Sequence, residues 1–296
     1  MNNPENDSEN SELTSPLAVV NPEKGTSFEL IPNSAKTVQP VALLRLSVFT
    51  PVSPKERGKR DFKIDASEEL ASMEMARSEG FTNIKIQGMK LNMSTDFKTW
   101  IGIIQAFSRH GFTSEEINLT FHEFATMCGL RSTDINGRAR ARLQESLTNL
   151  ASVVLSFSNK TKSKFTVTHL VQRAELCMET DKVTLLGDAR MWELYRYDHK
   201  ILVGLKALKE LSRKEAAQSL YVYLESMPPG ALYITMKRFR DRLSMISPVR
   251  VQNQVIRRAL ADLERIGYLK YSEAKKGRDI QFYIVGRNPK LTAKDG

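Results

Sequence analysis

One order of elements can be read twice along the chain, and it limits the fold more than any composition figure does. It runs helix, short Thr-capped helix, turn, longer basic helix, strand. In the first copy, "STDFKTWIGIIQAFSRHG" (Ser94–Gly111) sets Phe97, Ile101, Ile104 and Phe107 on one helical face, and Gly111 ends it. "NLTFHEFATMCGL" places Thr120 as the cap of a short helix carrying Phe121, Phe124 and Met127. A longer helix is expected from about Thr133 to Ala151, running into Val153–Phe157. "KFTVTHLVQRAELCMETDKVTLLGD" then reads as two strands around "ETDK".

In the second copy, Ser212 opens "SRKEAAQSLYVYLESMPPG", and Thr235 caps the short helix of "LYITMKRFRDRL". The stretch "SPVRVQNQVIRRALADLERIGYLKY" (Ser247–Tyr271) follows, and two strands joined by "AKKGRD" close the chain. Thr120 and Phe124 answer Thr235 and Phe239, 115 residues on in each case. A helix-turn-helix closed by a β-hairpin and used twice predicts an α+β protein of two tandem winged-helix domains. Their expected bounds are residues 37–187 and 188–291, with a disordered acidic tail over 1–36 and a short tail over 292–296. Elsewhere, Asp65–Gly80 reads as a helix, "TNIKIQGMKLNM" as a hairpin around Gly88, and "ILVGLKALKEL" as a helix.

Charge is unevenly spread. The formal total is +10. Residues 1–40 hold two Lys/Arg and six Asp/Glu, whereas residues 201–296 hold 19 and nine. A basic C-terminal third suggests a polyanionic partner, with nucleic acid ahead of an anionic membrane. No apolar run approaches the ~20 residues needed to span a bilayer. The polar, acidic start "MNNPENDSEN" does not read as a secretory signal. Cys128 and Cys177 have no CxxC partner and read as buried reduced thiols, which fits a cytoplasmic protein.

The helix in Ser247–Tyr271 segregates its residues. Val255, Ile256, Ala259, Leu260, Leu263 and Ile266 form one face, suited to packing. Arg250, Asn253, Gln254, Arg257 and Arg258 lie on or near the opposite face, mostly in the first two turns. The leading end of such a helix enters the major groove. Arg pairs bidentately with guanine O6/N7, and Asn or Gln with adenine N6/N7. A merely solvated face is the competing reading. Two neighbours weigh against it: a basic preceding helix (Lys237, Arg238, Arg240, Arg242) and a following loop with Lys275, Lys276 and Arg278, placed like a wing on the flanking phosphates. In the first copy, Arg138, Arg140 and Arg142 flank the stripe of Ile135, Ala139, Leu143, Leu147 and Leu150, with Arg131 and Ser132 in the turn. That helix suits phosphate contact more than base reading.

Catalytic patterns are missing. There is no GxxxxGK[ST] phosphate loop and no HExxH. His110, His122, His169 and His199 are scattered, and "HLVQR" has the wrong spacing for a recombinase His-x-x-Arg. Glu115 and Glu116 sit at a helix start, where the dipole favours them. Trp100 and Trp192 read as core. The sequence therefore points to a binding protein that needs no metal or cofactor, not an enzyme.

Several strings go further: "NSAKTVQPVALLRLSVFTP", "DFKTWIGIIQAFSRHG", "FHEFATMCG", "KEAAQSLYVYLESMP", "RIGYLKY" and "GRNPKL". Together they resemble the RepA-type replication initiators of phage-plasmids and IncF-like low-copy plasmids, over roughly Thr37 to Leu291. The resemblance implies a protein that binds directly repeated origin sites (iterons), helps open the duplex and represses its own promoter. It implies host partners, namely the host initiator, the replicative helicase and chaperones that convert inactive dimers to active monomers. It also implies that Arg250, Asn253, Gln254, Arg257 and the Lys275–Arg278 wing make most base contacts. The N-terminal domain would add phosphate contacts and the dimer interface. The apolar segment Phe165–Leu186 is the expected interface, because it would otherwise leave an exposed edge.

Overall fold

A computed structural model of the chain describes residues 16–20, 27–53, 62–67, 80–112, 116–161, 163–189, 191–192, 195, 200–277 and 279–287. The fold is mixed α/β. It begins inside the stretch expected to be a tail: β1 (Ala18–Val20) pairs antiparallel with β2 (Ser27–Glu29), and Leu17 is fully buried. The polar composition of that stretch hid a short apolar hairpin. Next come β3 (Lys36–Pro40), α1 (Val41–Arg45), β4 (Phe49–Thr50), β5 (Phe62–Asp65), β6 (Phe81–Gly88) and β7 (Leu91–Asn92). The helix expected over Asp65–Gly80 falls almost wholly outside the described residues.

Strands β6 and β7 do not form the expected hairpin. β6 lies inside a four-stranded sheet, and β7 pairs in parallel with β4. Gly88, at φ +139°, explains the divergence. A Cβ there would sit 2.4 Å from the Ser152 carbonyl oxygen, so only glycine lets the chain turn away at that point.

The first copy of the repeat is α2 (Asp96–Arg109), β8 (Ile117–Thr120), α3 (Phe121–Met127) and α4 (Gly137–Ala151). It is followed by β9 (Val154–Asn159), β10 (Phe165–His169), β11 (Arg173–Cys177) and β12 (Lys182–Leu186). The "ETDK" turn does join two strands, β11 and β12, but Phe165–His169 belongs elsewhere. β10 pairs with β9 at the edge of the sheet β10-β9-β6-β5, while β11 and β12 pair with β8. Burial of Leu155 and Phe157 draws β9 towards β6, so an additional hairpin is inserted before the one that closes the unit.

Strand β13 (Lys200–Gly204) and α5 (Leu205–Glu210) then lead to the second copy. "ILVG" is thus strand, not helix, with Ile201 and Val203 paired against Gln39 and Thr37 of β3. The second copy is α6 (Glu215–Glu225), β14 (Leu232–Thr235), α7 (Met236–Leu243), α8 (Val249–Arg265), β15 (Leu269–Lys276) and β16 (Asp279–Arg287). In both copies the first strand pairs with the last strand of the closing hairpin: β8 with β12, and β14 with β16. In both, the opening helix is buried almost all round. Phe97, Trp100, Ile104 and Phe107 of α2 and Leu220, Tyr221 and Leu224 of α6 are essentially inaccessible.

The segment from β3 to β4 clasps both copies. Gln39 Oε1 accepts from Trp100 Nε1 (3.1 Å) and the Tyr195 hydroxyl (3.2 Å). The Ser47 hydroxyl donates to the carbonyls of Asp241 (3.1 Å) and Arg242 (2.9 Å) at the end of α7. The Phe49 carbonyl accepts from Ser219 of α6 (3.2 Å) and Arg242 Nη1 (3.3 Å). Arg242 is only 3% exposed. It therefore leaves the basic surface expected of α7 and joins this clasp.

Candidate nucleic-acid interface

Pro248 precedes α8, and the amide of Gln252 braces the turn by donating to the carbonyls of Met245 (3.0 Å) and Ser247 (2.6 Å). Ile256, Ala259, Leu260 and Leu263 are buried and seat the helix. Its leading end is left projecting. Arg250, Gln254 and Arg258 are exposed there, and Asn253 and Arg257 are half-buried. Asn253 Oδ1 accepts from Arg240 Nη1 of α7 at 2.9 Å. Ile246, Val249 and Val251 also stand in solvent at this end (66%, 57% and 42% exposed). The sequence did not single them out: Val249 continues the stripe of Ile256 and Leu260 by heptad spacing, and Ile246 precedes the helix.

Arg257 is not a loose charge. Its Nε and Nη2 reach both carboxylate oxygens of Glu273 on β15 at 2.7–3.2 Å. Hydrogen bonds from Arg257 hold the Glu273 carboxyl below its ordinary pKa, and the carboxylate holds the guanidinium above its own. Periodicity could not find Glu273, because the pairing crosses from helix to strand over 16 residues.

The closing hairpin is longer than a loop. Lys275 and Lys276 are exposed and lie within β15, opposite Ile280 and Asp279. Gly277 takes φ +62° in a tight turn, and Arg278 lies outside the described residues. On α7, Lys237 and Arg238 are exposed.

In the first copy the expected residues separate into two kinds. Arg131, Ser132, Arg138 and Arg142 are exposed. Arg131 pairs with Asp134 across the turn (2.9 Å), and Asn136 caps α4 by accepting from the Ala139 amide (3.0 Å). Arg140 is half-buried, lies over the Phe121 ring at 4.1 Å and pairs with Asp181 in the β11–β12 turn. It ties α4 to the closing hairpin, a role with a fixed partner. Elsewhere on α4, Arg142 faces Lys98 of α2: burial first, and then Arg142, pull the Lys98 ammonium below its ordinary pKa. Of the thiols, Cys128 is buried, and burial pushes its pKa up. Cys177 is half-buried on β11, not buried as expected. Among the described residues no helix is long and apolar enough to cross a membrane, and no cluster of three or more His, Cys, Asp or Glu could hold a metal.

No family model matches this chain. Among solved structures it is similar to domains 2 and 3 of RctB, with a TM-score of 0.54 at 11% identity, over 83% of this chain and 98% of that one. That likeness concerns the fold alone. Among sequences, "RepFIB replication protein A" of Escherichia coli is 46% identical over 275 residues, 91% of this chain and 84% of that protein. "Replication protein RepA" of Salmonella typhi is 41% identical over 290 residues, 97% of this chain and 83% of that protein. "Protein RepA" of Escherichia coli is 42% identical over 261 residues, 88% of this chain and 90% of that protein. With identity at this level over nearly its whole length, the chain belongs to the RepA-type family of plasmid replication initiators.

Proposed function

We propose that this initiator binds directly repeated origin sites through two winged-helix domains, residues 37–187 and 188–291, joined by the β3–β4 clasp. The observation that carries the proposal is the projecting end of α8. There Arg250, Gln254 and Arg258 stand exposed beside the Lys275–Lys276 wing, on a helix whose other face is seated in the core. In this reading the C-terminal domain reads bases. The N-terminal domain grips phosphates through Arg131, Ser132, Arg138 and Arg142. Binding at the origin promotes duplex opening and recruits the host initiator and helicase, and binding at the promoter represses the gene. The protein works in the bacterial cytoplasm and performs no bond-breaking step itself.

The dimer would form through the Phe165–Leu186 stretch. Strand β10 is a sheet edge with Phe165 and Val167 66% and 42% exposed, and Met178 is 65% exposed. Monomers, released by host chaperones, would be the form that binds iterons.

Footprinting on DNA cloned from beside the gene tests the proposal. Regularly spaced protection of direct repeats is the expected result. Protection of a single inverted repeat would instead describe a repressor with no initiator role.

A further inference from the structure

We propose that Glu273 is a positioning residue: it holds Arg257 so that the free edge of the guanidinium meets a guanine. This rests on the reading of α8 as the base-contacting helix. A guanidinium has five N–H donors in a planar fork with two edges. Glu273 occupies the Nε/Nη2 edge, with three contacts of 3.2, 2.9 and 2.7 Å. That consumes the Nε hydrogen and one Nη2 hydrogen. Both Nη1 hydrogens and the second Nη2 hydrogen remain, and among the described residues Nη1 donates to none. The Nη1/Nη2 edge is a bidentate donor pair of the kind that matches guanine O6 and N7. The pairing with Glu273 therefore leaves reading intact and fixes its direction.

The surroundings make this more than a surface ion pair. Arg257 begins the third turn of α8, beyond the exposed Arg250 and Gln254, and is 40% exposed, against 33% for Glu273. Its partner sits on β15, two strand positions before the exposed Lys275 of the wing. The wing's placement and the direction of Arg257 are thus set together. An unheld arginine must lose its rotamer freedom on binding, and a held one has already lost it. Glu273 also has an opposing effect, since a carboxylate near the duplex repels phosphate. Net gain on the correct site and net loss on every other sequence is what a specificity device requires.

The two effects give Glu273 variants a distinctive signature. The probes are a duplex carrying the footprinted origin site, the same duplex with each base pair changed in turn, and a random duplex of equal length. Binding of the full chain is read by fluorescence anisotropy at one salt concentration. Glu273→Gln removes the charge and weakens the hold. It should bind the random duplex more tightly, yet lower the specific-to-random ratio by up to about 10-fold. The loss should map to a single G·C pair, the same pair that Arg257→Ala relaxes. Glu273→Asp keeps the charge but shortens the arm, so its ratio should fall with no tightening on random DNA. Adding Glu273→Gln to Arg257→Ala should lower the ratio no further. Matching melting curves for each variant exclude simple unfolding. An unchanged ratio for Glu273→Gln and Glu273→Asp, with Arg257→Ala still position-specific, overturns the role of Glu273 and leaves base reading by α8 standing. An Arg257→Ala loss that is equal on random DNA overturns both.

Discussion

Thr120 and Thr235 end their strands in the same backbone conformation (φ −71°, ψ 152° and φ −76°, ψ 152°), and each hydroxyl accepts the third amide of the helix that follows. The distances are 3.2 Å from Glu123 N and 3.1 Å from Arg238 N. The caps differ in one respect. Glu123 closes a capping box by accepting from the Thr120 amide at 2.8 Å, whereas Arg238 cannot. Thr235→Ala should cost about 1 kcal/mol, and Thr120→Ala somewhat more because it also removes the hydroxyl's contact with Glu123. Urea unfolding of the two variants measures this. Equal costs would mean that the hydroxyl's contact with Glu123 adds nothing.

Gly102 lies in the middle of α2, where alanine would ordinarily stabilise a helix by about 0.5–1 kcal/mol. Here a Cβ would sit 2.5 Å from Cys128 Sγ and 3.0 Å from the Cys128 amide nitrogen. Cys128 closes α3, so the missing side chain is what lets the two helices approach. Overpacking of this kind costs about 1–3 kcal/mol, which exceeds the propensity gain. Gly102→Ala should therefore lower the melting temperature. A rise would show that Cys128 yields freely.

Asp96 is buried at the start of α2, and its carboxylate accepts from the amide and side chain of Asn92 at 2.8 and 2.7 Å. Burial outweighs those bonds and raises its pKa to about 6. The folded state then binds this proton more tightly than the unfolded chain does. The stabilising contribution is complete below about pH 4 and is lost as pH rises to 6, a loss of about 3 kcal/mol. Asp96→Asn keeps an acceptor for Asn92 without the charge. The stability of wild type relative to this variant should fall between pH 4 and 6 and then level off. Parallel pH profiles from urea titrations would refute the shift.

How much of this was legible in the sequence depended on how local the cause was. Thr120, Phe124, Thr235 and Phe239 announce themselves, because caps and short amphipathic helices are set within four residues. The face of α8 was legible for the same reason. Strand partnership was not. Nothing near Phe165 reveals that it pairs with Ser158 while Arg173–Cys177 pairs with β12, since the choice is made by burial of distant neighbours. The fates of the arginines were equally hidden. Arg242, Arg257 and Arg140 look alike in sequence. One is buried against Phe49, one is held by Glu273, and one lies over Phe121 beside Asp181.

Lys276 lies on β15 opposite Asp279, at the end of the closing hairpin, and is exposed. If it neutralises one phosphate, Lys276→Ala should weaken binding similarly on all sequences. It should also reduce the slope of log affinity against log salt by about one. Titrations from low to moderate salt on origin and random duplexes read both effects. An unchanged slope would remove the wing from the contact surface.

If the two helix-turn-helix copies bind DNA as proposed, the clasp limits which DNA they can share. Ser47 and Phe49 are hydrogen-bonded to α6 and α7, and β13 is paired along all five residues of β3, so the readers are not joined by a free tether. Two heads held this way can enter successive major grooves on one face of the duplex, roughly 34–36 Å apart. Inserting about 5 bp between the two contacted grooves turns the second to the far side. Inserting about 10 bp restores its facing but moves it a further full turn away. Both insertions should reduce binding to that of the C-terminal reader alone and erase the footprint over the N-terminal half. A flexible pair would tolerate the longer insertion and lose only the effective concentration set by a longer tether. Footprints at the three spacings separate the two cases, and protection of both grooves at the 10-bp insertion would show that the clasp opens on DNA.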